Sequence, residues 1–129
     1  MIEADVAVIG AGAAGTAAAF HLAAAGHSVS VLEAESGGRI KPCGGGMASS
    51  VQNWFPFDLT PAVDDVIRRV DFSWCLEDPV VADLPGEAPF WIVRREHLDR
   101  LLLDQAVSAG ATLHRPFRVT GLDRNDACW

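Results

Sequence analysis

The first part of the chain consists of an apolar run, a glycine-rich turn, an alanine-rich stretch and a second apolar run. Val6–Ile9 is continuously apolar and Val29–Leu32 is nearly so, as expected of buried parallel strands. Between them, the alanine-rich residues 13–25 predict a helix, and Gly26 is a suitable residue to end it. The order strand, helix, strand predicts a βαβ unit built on a parallel sheet.

The middle of the chain follows a period of two instead. The apolar side chains of Val70, Phe72 and Trp74 alternate with polar ones, which predicts a strand with one buried face. The other elements predicted here are a short helix at 47–54, strands at 80–84 and 90–93, and turns at Asp78-Pro79 and Pro85-Gly86. This region is therefore predicted to form antiparallel sheet.

A second helical pattern follows, with leucines and other apolar residues at three- and four-residue spacing over 95–109. Gly110 ends it, and residues 111–114 predict a short strand. A last strand is predicted at 117–122, followed by a turn at 123–126 and the entry to a returning strand at 127–129. Because proteins seldom stop at the entry to a strand, we expect this sequence to be the N-terminal piece of a longer protein.

Together these elements predict an α/β fold, a Rossmann-like doubly wound parallel sheet with an inserted antiparallel β excursion. Right-handed crossovers give the strand order 3-2-1, with Val6–Ile9 next to Val29–Leu32. We expect residues 1–53 to form the βαβ nucleotide-binding half with a glycine-rich loop. Residues 54–93 would be an antiparallel insertion towards a substrate domain, and residues 94–129 would return to the nucleotide-binding domain.

Gly10, Gly12 and Gly15 have the spacing of a dinucleotide-binding turn and directly follow the first strand. They allow a tight turn, a close approach of pyrophosphate to the backbone, and close packing of helix on strand, respectively. Glu33, at the end of the second strand, is placed to accept a hydrogen bond from a ribose 2′-hydroxyl, which disfavours NADP. The residues predicted to contact the cofactor here are Gly10, Gly12, Ala13, Ala14, Gly15, Glu33 and Ala34.

Composition excludes several classes of function. The 129 residues carry a formal net charge of −7 with no basic patch, so we expect no nucleic-acid partner. No segment is long and apolar enough to span a membrane and no signal peptide precedes the first strand, so a cytoplasmic location is expected, with contact to a membrane surface still compatible. Three cysteines without a C-x-x-C pair and four histidines without ligand spacing predict neither a disulfide framework nor a metal site.

The opening fingerprint resembles that of FAD-dependent oxidoreductases of the glutathione-reductase-like superfamily. Residues 41–47, KPCGGGM, are similar to a lysine, cysteine and glycine segment of the geranylgeranyl reductase family. Residues 93–110, which begin VRREHLDRLL, resemble the arginine-led helix of that family and of the related flavin hydroxylases. The resemblance covers nearly all of residues 4–114. The family's later Gly-Asp segment and most of its substrate sheet are missing, so we expect the 129 residues alone to be inactive.

The resemblance implies that FAD is the cofactor, that Glu33 binds its adenosine ribose, and that Arg95 reaches it from the start of the helix. The spacing to the following leucine and aspartate favours Arg95 over Arg94. Arg39, which follows two glycines, is a candidate contact to the cofactor phosphates, with a solvated loop arginine as the competing interpretation.

By the same resemblance, Cys43, Gly44 and Gly45 lie beside the isoalloxazine ring together with the next glycine. Cys43 is the candidate catalytic residue, able to position substrate or supply a proton. The competing interpretation is a small, inert residue in a glycine turn.

The family reduces carbon–carbon double bonds of isoprenoid chains, which implies an apolar, isoprenoid substrate and an electron donor that the sequence does not identify. The alternatives are a flavin-dependent hydroxylase or monooxygenase, an amine-oxidase-like flavoenzyme, and a non-catalytic nucleotide-binding remnant. The segment KPCGGGM counts against the hydroxylase. The gap between Glu33 and the glycine pair that begins at Gly37 is shorter than the one normal in amine oxidases, which counts against that alternative. A disulfide reductase is disfavoured because a redox cysteine pair is missing.

Overall fold

The computed structural model describes residues 3–37 and 41–124. It divides into two compact units: unit 1 comprises residues 1–39 and 99–129, and unit 2 comprises residues 40–98. In chain order the strands and helices are β1 (Val6–Ile9), α1 (Ala13–Ala24), β2 (Val29–Leu32), β3 (Gly46–Ala48), β4 (Val63–Ile67), β5 (Arg69–Trp74), β6 (Glu77–Asp83), β7 (Phe90–Val93), α2 (Arg95–Ser108) and β8 (Thr112–His114).

Unit 1 contains a three-stranded parallel sheet in the order β1-β2-β8. The middle strand carries the core, since Val29 is 3% and Val31 is 0% exposed, and α1 covers it with Ala19 and Phe20. The predicted order, with the third strand beside the second and the first strand at the edge, is confirmed. The helix α1 connects the two neighbouring parallel strands β1 and β2, as in a βαβ unit.

A side-chain clasp joins the start of β1 to the residue before β2. The backbone N–H and the hydroxyl of Ser28 both donate to Asp5 Oδ2 at 2.8 Å, and the Asp5 N–H donates to Ser28 Oγ at 2.8 Å. The Ser28 backbone amide, and after it the hydroxyl, lower the pKa of Asp5 because both bonds favour the ionised carboxylate. The clasp holds the two strands in the register that places Val6 opposite Val29.

Unit 2 is antiparallel, as predicted for the insertion. One sheet has the order β3-β7-β4, and its middle strand buries Trp91 and Val93. The second is a two-stranded hairpin of β5 and β6, in which Arg69 lies opposite Asp83 and bonds to it across the strands at 3.1 Å.

The turn of this hairpin is not where the sequence predicted it. Asp78-Pro79 lies inside β6, and the chain reverses at Cys75 and Leu76 instead. Pro79 is tolerated because a strand of a two-stranded sheet has a free edge, where a missing N–H breaks no ladder bond. Asp78 has a φ of 50°, and the register is irregular at the adjacent pair, so the backbone absorbs the irregularity next to the proline.

The prediction that Val70, Phe72 and Trp74 line a buried face is wrong for this chain. Phe72 is 60% and Trp74 is 82% exposed, and Val80, which pairs with Phe72, is exposed as well. The alternation correctly places the apolar side chains on one face. Within residues 3–37 and 41–124, however, nothing buries that face, because the hairpin forms its own two-stranded sheet.

Two smaller predictions also need correction, and a third is not tested. Residues 47–54 do not form one helix: the chain first pairs as β3 with β7 and then forms a 3₁₀ segment, Ser49–Trp54. Residues 117–122 are irregular rather than a strand, and the Phe117 N–H donates to the Glu33 carbonyl at 2.6 Å instead of to a ladder. The turn at 123–126 and the returning strand at 127–129 lie at the edge of or outside the described residues.

The hairpin turn offers a test of backbone strain. Cys75 (φ 49°) and Leu76 (φ 64°) hold left-handed conformations that cost roughly 1–2 kcal/mol each for residues with a Cβ. Replacing them by the turn pair Asn-Gly, as Cys75→Asn with Leu76→Gly, should raise the free energy of unfolding by about 1–2 kcal/mol. Urea unfolding measures this. Leu76→Ala is the control, since it removes the exposed side chain without relieving φ, and an equal gain there would contradict the strain argument.

Candidate cofactor-binding site

The glycine turn connects β1 to α1 through close backbone contacts. Gly10 has a φ of 97° and its N–H donates to the Leu32 carbonyl at 2.9 Å, which ties the turn to the end of β2. A Cβ on Gly15 would collide with the Gly10 carbonyl oxygen and would lie 3.2 Å from Val8 Cγ1. The glycine at this position therefore lets the first turn of α1 lie directly against the end of β1.

The start of α1 presents backbone donors. Gly12 is the N-terminal capping residue, with extended backbone, and its carbonyl accepts the Thr16 N–H at 2.9 Å. In the described part of the chain no side chain caps this end, and the first turn holds no acidic residue. The N–H groups of the first turn, which includes Ala13 and Ala14, have no partner in the preceding turn of a helix and suit an anion such as a phosphate.

Glu33 is the central residue of the candidate site in unit 1. Its side chain is largely buried, with the residue 9% exposed, and both carboxylate oxygens accept backbone amides. Oε2 accepts the Ala11 N–H at 2.6 Å, and Oε1 accepts the Glu35 N–H at 2.9 Å. The acid predicted from the sequence thus lies against the glycine turn, and Ala34 follows it in the loop after β2.

The segment around Cys43 lies in unit 2, where Gly45 and Gly46 have structural explanations. Gly45 has a φ of 74°, its carbonyl accepts the Val93 N–H at 2.9 Å, and a Cβ there would collide with the Val93 carbonyl oxygen. A Cβ on Gly46 would lie 2.9 Å from the Phe90 ring. Gly44 differs, because a Cβ added to it would meet no described atom within 4 Å.

Cys43 itself is exposed, and its Sγ accepts the Gly45 N–H at 3.4 Å. The same Gly45 pairs with Val93, which ends β7 two residues before Arg95 begins α2. The structure therefore brings two predicted parts of the site, the Cys43 segment and the arginine-led helix start, next to each other in unit 2.

The two neighbouring arginines differ in their surroundings. Arg94 Nε lies 3.1 Å from Asp64 Oδ1 on β4, and both side chains are about half exposed. Arg95 is the first residue of α2 and is more buried than Arg94. The ion pair with Asp64 accounts for Arg94 within unit 2, and Arg95 as the cofactor residue stays a prediction.

Sequence reasoning missed the backbone contacts around Glu33. The Glu33 N–H donates to the His114 carbonyl at 3.0 Å, and the Ala11 amide bonds to its side chain. Contacts of backbone groups leave no signature in residue type, so spacing alone could not find them.

Arg39, predicted to touch the phosphates, lies outside the described residues. Among the described residues no group of histidine, cysteine and acidic side chains could hold a metal, and no helix has the length and apolar character needed to cross a membrane.

Comparison with known proteins shows which family the segment with the glycine turn is similar to. Residues 5–55, which include the glycine turn and Glu33, match the family of FAD dependent oxidoreductases. An uncharacterized protein of Methanosarcina barkeri is 31% identical over 95% of this chain and 32% of its own length. A probable electron transfer flavoprotein-quinone oxidoreductase of Escherichia coli, YdiS, is 32% identical over 93% of this chain and 30% of its own length. The chain therefore spans about a third of the length of these relatives.

Solved structures share the fold. A geranylgeranyl bacteriochlorophyll reductase-like protein of Thermoplasma acidophilum superposes with a TM-score of 0.76 at 22% identity, over 85% of this chain and 29% of that one. The halogenase PltM, solved with phloroglucinol and FAD, superposes with a TM-score of 0.73 at 19% identity, over 95% of this chain and 30% of that one. The glycine turn and the acid after β2 thus lie in the segment that matches the FAD dependent oxidoreductases, a family whose cofactor is FAD.

Proposed function

We propose that this chain is the FAD-binding portion of an oxidoreductase that reduces carbon–carbon double bonds of an isoprenoid chain. The observation that carries the proposal is the pair Cys43 and Gly44. Packing against β7 accounts for Gly45 and Gly46, but not for an exposed thiol followed by a glycine with open space at its Cβ. Because Gly44 has no side chain and the space at its Cβ position is open, a flat ring and an apolar chain could approach the backbone beside the Cys43 thiol.

The proposed division of roles follows the two units. In unit 1 the backbone N–H groups at Gly10, Gly12, Ala13, Ala14 and Gly15 would bind the pyrophosphate, and Glu33 with Ala34 would bind the adenosine ribose. In unit 2 Arg95 would contribute positive charge to the cofactor, and Cys43, Gly44 and Gly45 would lie at the flavin ring. Arg39 stays a candidate for the phosphates. When bound, FAD would supply the two electrons of the reduction.

Cys43 would complete the reaction at the substrate. Saturating a double bond adds a hydride to one carbon and a proton to the other, and the Sγ–H is a group in the segment that can deliver the proton. An electron donor is needed to return the flavin to its reduced state. The proposed substrate chain is apolar, which is compatible with a net charge of −7 because no ionic contact to it is required.

The test uses a polypeptide of the relatives' length that contains this chain. It should purify yellow with noncovalent FAD, and after reduction with dithionite it should oxidise again when a geranylgeranyl substrate is added under anaerobic conditions. Mass spectrometry should find the substrate heavier by two hydrogens. In a parallel reaction in air, incorporation of an oxygen atom from O₂ into the substrate would instead support the hydroxylase. A colourless protein that binds no FAD would support the remnant.

A second candidate is electron transfer from a flavoprotein to a quinone, because the Escherichia coli relative of that probable activity is 32% identical over 93% of this chain. Both candidates use the same FAD site. They differ in the acceptor, so anaerobic reoxidation by a short-chain quinone, with no change in the mass of a geranylgeranyl substrate, would favour this one.

The paired arginines provide a prediction about cofactor affinity. Arg95→Ala should weaken FAD binding by about ten- to a hundredfold, the usual loss for a charge-assisted hydrogen bond. Arg94→Ala is the matched control, and because exposed ion pairs contribute about 0–1 kcal/mol it should leave the affinity within a few-fold. Titration of flavin fluorescence measures both variants. Equal losses in the two would show that the arginine at position 95 has no special role.

Cys43 provides a prediction about the chemical step. Cys43→Ala should retain FAD and its reduction by the donor, but slow double-bond reduction by about a hundredfold or more if the thiol donates the proton. Single-turnover kinetics separate the two half-reactions. Cys75→Ala, which removes the exposed thiol of the hairpin turn, is the control. If Cys43→Ala and the control reduce substrate equally fast, Cys43 is only a small residue in a turn.

A further inference from the structure

We infer that Glu33 is a positioning residue that holds the glycine turn in its binding conformation before any cofactor arrives. The Ala11 N–H, in the middle of the turn, donates to Glu33 Oε2 at 2.6 Å. The Glu35 N–H donates to the other carboxylate oxygen at 2.9 Å. One buried carboxylate thus connects the loop between β1 and α1 to the loop after β2.

The backbone of Glu33 is anchored on its other side, which makes this connection rigid. Its N–H donates to the His114 carbonyl at 3.0 Å, and its carbonyl accepts the Phe117 N–H at 2.6 Å. The side chain that reaches Ala11 therefore starts from a backbone fixed between β2 and the segment after β8. A turn held from a fixed point samples fewer conformations, so less ordering remains to be done when a ligand binds.

The chemistry of the carboxylate allows a second role beside the one in the proposed function. A carboxylate has about four acceptor positions, so accepting two amides is compatible with accepting a ribose hydroxyl. The hydrogen bonds to charged oxygen are also stronger than those to a neutral acceptor. An amide side chain cannot replace it, because Gln presents one acceptor and one donor group, and the donor would face a backbone N–H. The ribose contact rests on the proposed function, whereas the contact to Ala11 is internal to unit 1.

The experiment measures amide hydrogen exchange in the FAD-free chain of 129 residues. Relative to Val31, an amide of the buried strand β2 that reports global opening, the Ala11 N–H should exchange about ten- to a hundredfold faster in Glu33→Gln than in the wild type. Glu35→Gln is the matched control, since it changes a neighbouring acid but keeps its backbone N–H, and should leave Ala11 unchanged.

The outcomes separate this inference from the proposed function. Unchanged Ala11 exchange in Glu33→Gln would overturn the positioning role, even if FAD affinity falls because the ribose contact is lost. Faster Ala11 exchange supports the hold of Glu33 on the turn, whereas unchanged FAD affinity of the longer Glu33→Gln polypeptide would contradict both the ribose contact and the gain in affinity expected from an ordered turn. If Glu33→Gln does not fold, Glu33→Asp decides: it keeps the charge but is one methylene shorter, so it cannot reach both amides, and at least one of Ala11 and Glu35 should exchange faster. Protection of both amides in that variant would contradict the inference.

Discussion

Gly15→Ala is expected to weaken FAD binding strongly and to destabilise unit 1, although it adds only one methyl group. The new Cβ would collide with the Gly10 carbonyl oxygen, a backbone atom that cannot rotate away. Relief requires α1 to move off the end of β1, and overpacking of this kind typically costs about 1–3 kcal/mol. The same movement displaces the helix N-terminus from the phosphates, and losing the aligned charge-assisted bonds should weaken FAD binding by about a hundredfold or more.

The measurement combines thermal unfolding of the FAD-free chain with flavin titration of the longer polypeptide. Gly121→Ala is the matched control: this glycine also belongs to unit 1, and no described atom lies within 4 Å of its Cβ position. The control should unfold and bind as the wild type does. If Gly15→Ala binds FAD like the control, the close contact of helix and strand is not what the site requires.

Replacing each of two adjacent glycines in unit 2 by alanine is expected to change the free energy of unfolding by very different amounts. Gly45→Ala should lower the free energy of unfolding by about 2–5 kcal/mol, the sum of the left-handed backbone penalty at a φ of 74° and the overpacking against the Val93 carbonyl. Gly44→Ala should stay within about 0.5 kcal/mol of the wild type, because its Cβ position is open. Under the proposed function, Gly44→Ala should still slow reaction with substrate, since a methyl group would narrow the space at the flavin ring.

Urea unfolding of the chain gives the stability difference, and single-turnover kinetics of the longer polypeptide give the rate. Strong destabilisation by Gly44→Ala would contradict the open space at that residue. A stable Gly44→Ala protein with wild-type turnover would remove Gly44 from the site and leave the whole glycine segment with a purely structural explanation.

The sequence predicted unit 1 well because its signals are local. The bounds of β1 and β2 are as predicted and α1 is one residue shorter, since an apolar run, a glycine turn and Gly26 each act on their immediate neighbours. The position of β8 next to β2 followed from the handedness of the connections. Whether the predicted residues bind FAD stays a prediction, but Glu33 and the glycine turn do lie together in unit 1.

The errors concentrate where the outcome depends on partners rather than on local pattern. Alternation at Val70, Phe72 and Trp74 indicates which side chains share a face, but not whether anything covers that face. The turn prediction at Asp78-Pro79 assumed that proline ends a strand, which fails on a strand with a free edge. In residues 117–122 the pattern suited a strand, yet the Phe117 amide is used by Glu33.

The discontinuity of unit 1 also determines when it can fold. Ser30 on β2 and His114 on β8 are 84 residues apart, and all of unit 2 lies between them. Loop-closure entropy grows only slowly with length, so this separation costs little stability, but contacts between distant residues form late and slow the folding rate. During synthesis β1, α1 and β2 leave the ribosome first, and β2 then waits with one edge unpaired until β8 is made. The central strand of the parallel sheet is therefore exposed to chaperones and to aggregation for as long as unit 2 takes to be synthesised.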